Sequence, residues 1–123
     1  MRFLLIAGLT AAAVLTCTTE SSAACVTRGT FQITSEGPWN LFTNVDKGRT
    51  CVGWFTAGGT VVFKRLNVVS PPRRGRLDLR QGGQFIYKPN NGYAGPDSFK
   101  LRVCGEDRGV RGCANLHYAV TVS

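Results

Sequence analysis

The side chains that could serve as acids, bases or nucleophiles are few and scattered in this sequence. His117 is the only histidine, and no glycine-flanked nucleophile motif brings a serine to it. Asp97 directly precedes Ser98, but no histidine lies near them in the sequence. Glu106 and Asp107 are adjacent carboxylates in a glycine-rich segment that also carries arginines. Because acid, base and nucleophile do not occur as a set, we expect a protein that is not an enzyme and has no catalytic residues.

A second kind of chemistry would come from the five cysteines, which could bind a metal or form disulfides. No two of them have the close spacing of a zinc site. Four of them follow the apolar N-terminal segment and are Cys25, Cys51, Cys104 and Cys113. An even number in a small exported domain favours disulfides, which also remove thiolate reactivity. We therefore expect two disulfides and no metal site.

Residues 1–24 have the organisation of a secretory signal peptide. Arg2 supplies a basic start, residues 3–15 are an almost unbroken apolar run, and residues 22–24 are small residues of the kind that a signal peptidase recognises. The apolar run is shorter than the roughly 20 residues that span a bilayer. We expect cleavage before Cys25 and a periplasmic or secreted protein without a transmembrane segment.

Cys17 offers an alternative, because a bacterial lipoprotein signal ends in a cysteine that is acylated and becomes the new N-terminus. The preceding residues match that signal poorly, since Val14 stands where leucine is usual and Thr16 is larger than the usual glycine, alanine or serine. Anchoring through Cys17 is the alternative to cleavage before Cys25, and it would hold the domain at a membrane surface.

Length and charge describe one small basic domain, residues 25–123. The chain has 123 residues, of which 43% are hydrophobic and 18% charged, and this leaves room for one domain after the signal peptide. The net charge is +8, and removal of residues 1–24 takes away one basic and one acidic residue, so the domain keeps the whole charge. Such a charge favours anionic partners. Nucleic-acid-binding motifs are absent, and we expect no nucleic-acid partner.

Apolar residues alternate with polar ones along most of this domain, and no stretch has helical spacing. A period of two places each alternating set on one face of a strand. The sets are Phe31 and Ile33; Trp39, Leu41, Thr43 and Val45; Leu77 and Leu79; Phe85 and Tyr87; Phe99, Leu101 and Val103; and Leu116, Tyr118, Val120 and Val122. Together they predict an all-β fold, an antiparallel β-sandwich of about seven strands, with a closed barrel as the alternative.

Three local features refine this prediction. Residues 61–69 form a longer apolar run, and its interruption by a Lys-Arg pair predicts a bend or bulge before two prolines end the strand. Residues 51–55 predict a further short strand. Residues 76–80 and 84–88 are joined by Gln-Gly-Gly, which predicts a tight hairpin.

Strand parity indicates how the cysteines pair. Cys104 is out of phase with the apolar residues of the strand before it, and Cys113 is out of phase with those of the strand after it. Both thiols therefore point to the same outer face from neighbouring strands, and we expect a Cys104–Cys113 disulfide. Cys25 with Cys51 follows by elimination, while the two other connectivities of four cysteines stay open.

Residues 83–99 have the sequence GQFIYKPNNGYAGPDSF, a strand followed by Tyr-x-Pro, Gly-aromatic-x-Gly and Asp-Ser-Phe. This run resembles the bacterial immunoglobulin-like, cadherin-like repeat domains. With the approach VVSPPRRGRL of residues 68–77, the similarity covers about residues 66–104 in a single copy. It implies an immunoglobulin-like β-sandwich in which the motif residues have structural roles. These residues are Tyr87, Pro89, Gly92, Tyr93, Gly95, Asp97 and Phe99.

The motif residues each have a mechanical role that needs no ligand. Pro89 withholds an amide donor and ends a strand, and Gly92 and Gly95 allow backbone angles closed to other residues. Tyr93 can fill the bottom of the core, and Asp97 can accept hydrogen bonds from loop amides before the next strand. Some cadherin-like relatives bind calcium through clustered acidic residues. The acidic residues here are scattered, so we expect no calcium and no other cofactor.

Basic residues around the predicted hairpin are the remaining candidates for binding. Period two places Arg74, Arg76 and Arg80 on one outer face, and Lys88 lies across the hairpin from them. Such a cluster could bind an anionic polymer such as an acidic envelope polysaccharide, although a solvated sheet face is the alternative. We expect a noncatalytic binding or structural domain of the bacterial cell envelope.

The segment of residues 105–112 supports a different hypothesis. A loop closed by a Cys104–Cys113 disulfide loses less entropy on docking than a free loop does. The chain would then be a protein-interaction module or an inhibitor that presents this loop, and its partner would be another envelope protein.

Overall fold

The computed structural model describes residues 25–55 and 60–123. The predicted signal peptide, with Cys17, lies outside the described residues. The described chain is all-β, as predicted, and forms eight strands in two sheets. The strands are β1 (Cys25–Arg28), β2 (Trp39–Val45), β3 (Cys51–Trp54), β4 (Val61–Ser70), β5 (Gly75–Arg80), β6 (Gln84–Pro89), β7 (Gly95–Asp107) and β8 (Val110–Val122).

The larger sheet has the order β1-β2-β8-β7-β4, and the smaller sheet has the order β3-β6-β5. Strand β2 runs parallel to β8, with Leu41 opposite Tyr118, whereas the other pairings between described strands are antiparallel. The prediction of an antiparallel fold is therefore wrong for this one pair. Alternation assigns a side chain to a face of its strand, and it carries no information about strand direction.

Aromatic side chains from both sheets meet in the core. Phe85 and Tyr87 point inward from β6, and Phe99 and Tyr118 point inward from β7 and β8. The rings of Phe99 and Tyr118 stack with their centroids 4.6 Å apart, while those of Phe85 and Tyr118 meet edge to face at 5.5 Å. All four side chains are buried. The inner faces of the two sheets thus pack against each other, as in a sandwich, and each aromatic pair contributes about 1 kcal/mol beyond its buried area.

The segment before β2 differs from the prediction. Phe31 and Ile33 were expected on a strand, but the chain makes a turn there, with the amide of Ser35 donating to the carbonyl of Gln32. Ile33 is nevertheless buried, because the segment runs along the edge of β8 and its backbone passes directly over Gly112. Two apolar residues at alternate positions can be buried by a loop as well as by a strand.

Both predicted disulfides are confirmed. Cys104 lies directly opposite Cys113 in the β7–β8 ladder, with a Cα–Cα distance of 4.0 Å. Cys25 in β1 is joined to Cys51 in β3 with a Cα–Cα distance of 5.4 Å. Strand β1 was not predicted. It is an edge strand of the larger sheet, and β3 is an edge strand of the smaller one. The Cys25–Cys51 disulfide therefore connects the two sheets along one side of the sandwich.

The local predictions for β4, β5 and β6 are confirmed. Strand β4 has register shifts against β7 between Phe63 and Arg65 and again near its end, which is at Ser70 before the two prolines. Strands β5 and β6 form the predicted hairpin, and its turn contains Gly82 and Gly83, both with φ of 80°. Such positive φ angles are readily adopted only by glycine.

Candidate functional site

The outer face of the three-stranded sheet carries most of the predicted basic residues. In β5 the alternate leucines, Leu77 and Leu79, pack against the core, whereas Arg76 and Arg80 point away from it and are exposed. Lys88 in β6 is exposed and lies directly opposite Arg76. The structure therefore brings three of the four predicted cations onto one face.

One carboxylate shares this face. Asp78 lies between Arg76 and Arg80 in β5, and its carboxylate is 3.8 Å from the Arg76 guanidinium. The two side chains are 80% and 53% exposed, so water screens the pair and it contributes little to stability. Three cations and one carboxylate leave the three described strands with a formal charge of +2 on their outer face.

The fourth predicted cation, Arg74, lies elsewhere. It precedes β5 in a bend, where its carbonyl accepts a hydrogen bond of 2.8 Å from the amide of Asn90. Its guanidinium carbon is 5.5 Å from the ring centroid of Tyr93, within the range of a cation–π contact. Arg74 belongs to the end of the sandwich together with Tyr93, whereas the other three cations lie on the sheet face.

An exposed tryptophan on the same outer face was missed by the sequence analysis. Trp54 in β3 is 63% exposed, and Val52 beside it is also exposed. Both alternate with Cys51 and Gly53, which lie on the inner side. The inward position of the disulfide-bonded Cys51 was the available signal, because parity then directs Trp54 outward. The face thus combines cations with an aromatic surface.

Asp97 holds the end of the sandwich together. Its carboxylate accepts hydrogen bonds from the amides of Arg73 (3.1 Å), Arg74 (3.2 Å) and Ser98 (2.9 Å). It also accepts a hydrogen bond of 2.7 Å from the hydroxyl of Tyr87. Burial, together with this hydrogen bond, raises the pKa of Tyr87 well above its usual value. The Asp97 carboxylate therefore accepts hydrogen bonds from groups of the protein itself, as expected for a structural residue.

Other motif residues lie at the end of β6 and in the turn that leads to β7. Pro89 is buried at the end of β6, and the turn that follows has Gly92 at φ 77°. The amide of Tyr93 donates to the carbonyl of Asn90 at 3.0 Å, and its hydroxyl donates to the carbonyl of Pro96. These contacts stay within the turn, and they support a structural role for the motif.

The segment of residues 105–112 is a hairpin end rather than an open loop. Ladder pairing continues past the disulfide to Asp107 opposite Val110, so the turn consists of Arg108 and Gly109, both with positive φ. The tip is also attached to Thr60, the residue that precedes β4. The Thr60 hydroxyl donates to Asp107, and the Arg108 amide donates to the Thr60 carbonyl at 3.2 Å. The surface that it presents is smaller than the predicted loop.

A shallow concavity of about 600 Å³ lies beside this tip, on the outer face of the larger sheet. Its lining includes the Cys104–Cys113 disulfide, three cations and one carboxylate. The charged residues are Lys64, Arg65, Glu106 and Arg111. This second basic surface lies on the other sheet and gives a matched comparison for the three-stranded one.

His117 lies on the outer face of the larger sheet, half buried, with Lys100 opposite it in β7. Within residues 25–55 and 60–123, no three His, Cys, Asp or Glu side chains come together as a metal site. The same part of the chain has no helix that could span a membrane. No family model and no curated protein matches this chain.

Proposed function

We propose that this chain is a noncatalytic, exported binding domain of the cell envelope that contacts an anionic polymer. The contact surface is the outer face of the β3-β6-β5 sheet, defined by Arg76, Arg80, Lys88 and Trp54, and called here the basic face. The observation that carries the proposal is the clustering of three exposed cations against a single carboxylate on the described strands of this sheet. An extended polyanion crossing the sheet would meet several cations at once.

The fold that we propose for this domain is immunoglobulin-like. The strand order β3-β6-β5 in one sheet and β8-β7-β4 in the other matches the B-E-D and G-F-C orders of immunoglobulin domains. The Tyr-x-Pro and Asp-Ser-Phe motif supports the same assignment, because it lies where β6 leads into β7. Export is supported by the two disulfides, since disulfides persist mainly in oxidising compartments.

A salt series with a charge-matched control tests the binding proposal. The oxidised protein is titrated with an anionic polysaccharide and with a neutral one at rising salt. We expect binding of the anionic polymer alone, weakening as salt screens the exposed charges. The variant Arg76→Glu, Arg80→Glu, Lys88→Glu should lose binding. The control Lys64→Glu, Arg65→Glu, Arg111→Glu makes the same change in net charge on the other sheet and should retain most of it. Equal losses would mean that net charge alone causes binding, and would refute a site on the basic face.

A second candidate is a protein-interaction module that uses the tip of the β7–β8 hairpin. The observation in its favour is Val110, which is 58% exposed next to the two-residue turn of a cross-linked hairpin. In that case Val110→Asp would abolish association with an envelope protein, and the charge changes on the basic face would not. The two candidates therefore differ in which substitution removes binding.

A further inference from the structure

Three side chains of different chemistry form a row across the basic face. Trp54 in β3 is directly opposite Gln84 in β6, and Gln84 is directly opposite Arg80 in β5. Adjacent strands lie about 4.8 Å apart, so the backbone positions of Trp54 and Arg80 are separated by about 10 Å. This is about the length of two linked sugar rings. An aromatic ring, an amide and a guanidinium are thus available to one short segment of a polymer.

Trp54 presents a large exposed apolar surface. At 63% it is the most exposed of the large apolar side chains within the described residues, and Val52 extends the apolar surface beside it. Water contact with such a surface is unfavourable, and covering it would contribute to binding in a way that salt does not screen. A polyanion without an apolar face would gain nothing from Trp54.

Two linked hexuronate rings match all three groups. The C–H face of a pyranose is apolar enough to stack on an indole, while its hydroxyls match an amide that both donates and accepts hydrogen bonds. Its carboxylate has the planar geometry that a guanidinium binds through two parallel hydrogen bonds. Linear polyphosphate has the charge but has no apolar ring to place on Trp54.

Arg76 and Lys88 form a second row on the basic face, and this row fits an extended chain of hexuronate units. Arg76 and Lys88 are paired with each other four residues along the strands from the Arg80–Gln84 pair. At about 3.4 Å per residue, the two rows are about 14 Å apart. A polymer with a carboxylate on each ring would reach both rows, whereas a single sugar acid would reach only one.

We propose that the row of Trp54, Gln84 and Arg80 recognises the hexuronate units of an acidic polysaccharide. One sugar ring lies on Trp54, a hydroxyl contacts Gln84, and the carboxylate of the next ring binds Arg80. This inference rests on the proposed function, because it names the class of polymer that the basic face binds. It adds that recognition requires a ring face as well as negative charge.

The test compares three probes on the oxidised protein: an oligogalacturonate, its methyl ester, and linear polyphosphate. For Trp54→Ala we expect about a tenfold loss of affinity for the oligogalacturonate and no change for polyphosphate. Trp54→Phe keeps a ring and should retain most of the affinity. Arg80→Gln should reduce the preference for the free acid over the methyl ester, since Arg76 and Lys88 still attract the other carboxylates. Phe42→Ala is the matched control, since Phe42 is exposed on β2 of the other sheet and should leave all affinities unchanged.

Binding of oligogalacturonate and polyphosphate with affinities that Trp54→Ala does not alter would overturn the inference and leave the proposed function standing. Failure of the wild-type protein to bind either polyanion would overturn both. A change in tryptophan emission on adding oligogalacturonate, lost in Trp54→Ala and absent with polyphosphate, would support the stacking directly.

Discussion

The hydroxyl of Tyr87 in β6 donates a hydrogen bond of 2.7 Å to the carboxylate of Asp97 in β7, and this bond joins the two sheets. The ring of Tyr87 also stacks on Phe99 at 5.7 Å, so one side chain contributes to both the polar and the apolar contact between the sheets. Because Asp97 also accepts hydrogen bonds from the amides of Arg73 and Arg74, the approach to β5 is attached at the same point.

Removal of the Asp97 carboxylate should destabilise the domain. We expect Asp97→Ala to lower the free energy of unfolding by about 2 kcal/mol, because it leaves three backbone amides and the Tyr87 hydroxyl without their acceptor. Urea denaturation measures this loss. Asp78→Ala is the control, since that carboxylate is exposed, and it should change stability by less than about 0.5 kcal/mol. A double-mutant cycle with Tyr87→Phe should show coupling, and additive effects would contradict the proposed link between the sheets.

The two disulfides should differ in their contribution to stability. Cys25–Cys51 closes a separation of 26 residues and Cys104–Cys113 one of 9. In the chain-entropy model these loops correspond to about 3.6 and about 2.7 kcal/mol. Urea denaturation of the two double alanine variants should show the larger loss for Cys25→Ala, Cys51→Ala. An opposite order would mean that contacts around Cys104 and Cys113, rather than loop entropy, decide the difference.

High pH should destabilise the protein through its buried tyrosines. Burial raises the pKa of Tyr118, and burial together with the Asp97 hydrogen bond raises that of Tyr87. The folded state therefore favours the neutral phenols. Their contribution to stability is complete below pH about 10, where the unfolded tyrosines are also neutral, and it is lost as pH rises above that value. Unfolding free energies between pH 8 and pH 11, in about half-unit steps, should show this decline, and Tyr87→Phe should make the decline shallower. An unchanged slope in Tyr87→Phe would contradict the assignment.

Gly53 should be intolerant of a side chain. It lies opposite Phe85 in the β3–β6 ladder, and a Cβ there would overlap the Phe85 ring. We expect Gly53→Ala to cost about 1–3 kcal/mol, the usual range for overpacking a core. Thermal unfolding measures the change, with Val52→Ala on the outer face as the control. Adding Phe85→Leu to Gly53→Ala should relieve part of the steric overlap, so the double variant should lose less stability than the sum of the two single variants. A purely additive loss would argue against the steric explanation.

Arg108 is a position where substitution should stabilise the protein. Its φ of 52° is left-handed, which costs a residue with a large side chain about 1 kcal/mol, whereas Asn-Gly is the preferred pair for a two-residue hairpin turn. We expect Arg108→Asn to raise the free energy of unfolding by about 0.5–1 kcal/mol. Arg111→Asn, in the strand, provides the control and should bring no gain. A loss of stability in Arg108→Asn would show that the arginine side chain makes a contact worth more than the strain.

Prediction from the sequence succeeded where a short-range pattern has one physical meaning. Period two placed Phe85, Tyr87 and Leu101 on inner faces, since successive side chains of any strand point to opposite sides. The same parity paired Cys104 with Cys113, because two residues on the same side of adjacent strands are close enough for a disulfide. The glycines of the β5–β6 turn and the prolines after β4 also have meanings that do not depend on the rest of the chain.

The candidate site was predicted in part. Arg76, Arg80 and Lys88 were placed correctly on a common face because they belong to one hairpin, whose register follows from its turn. Arg74 was assigned to the same face, but β5 begins one residue after it, and the end of a strand depends on neighbouring contacts such as the Asp97 carboxylate. The outward direction of Trp54 could have been inferred from parity with Cys51, but its place beside Gln84 could not, because the sequence does not indicate which strand lies beside β6.

The sequence by itself determined the β class, the inward and outward sides of most strands and the Cys104–Cys113 pairing, because these depend on neighbours along the chain or on one shared face. Only the tertiary structure decided that β2 runs parallel to β8, that Ile33 is buried from a turn, and that Trp54 shares a row with Arg80. Those relationships join segments far apart in the sequence. They depend on which strands find each other when the two apolar faces close, and local alternation does not encode that choice.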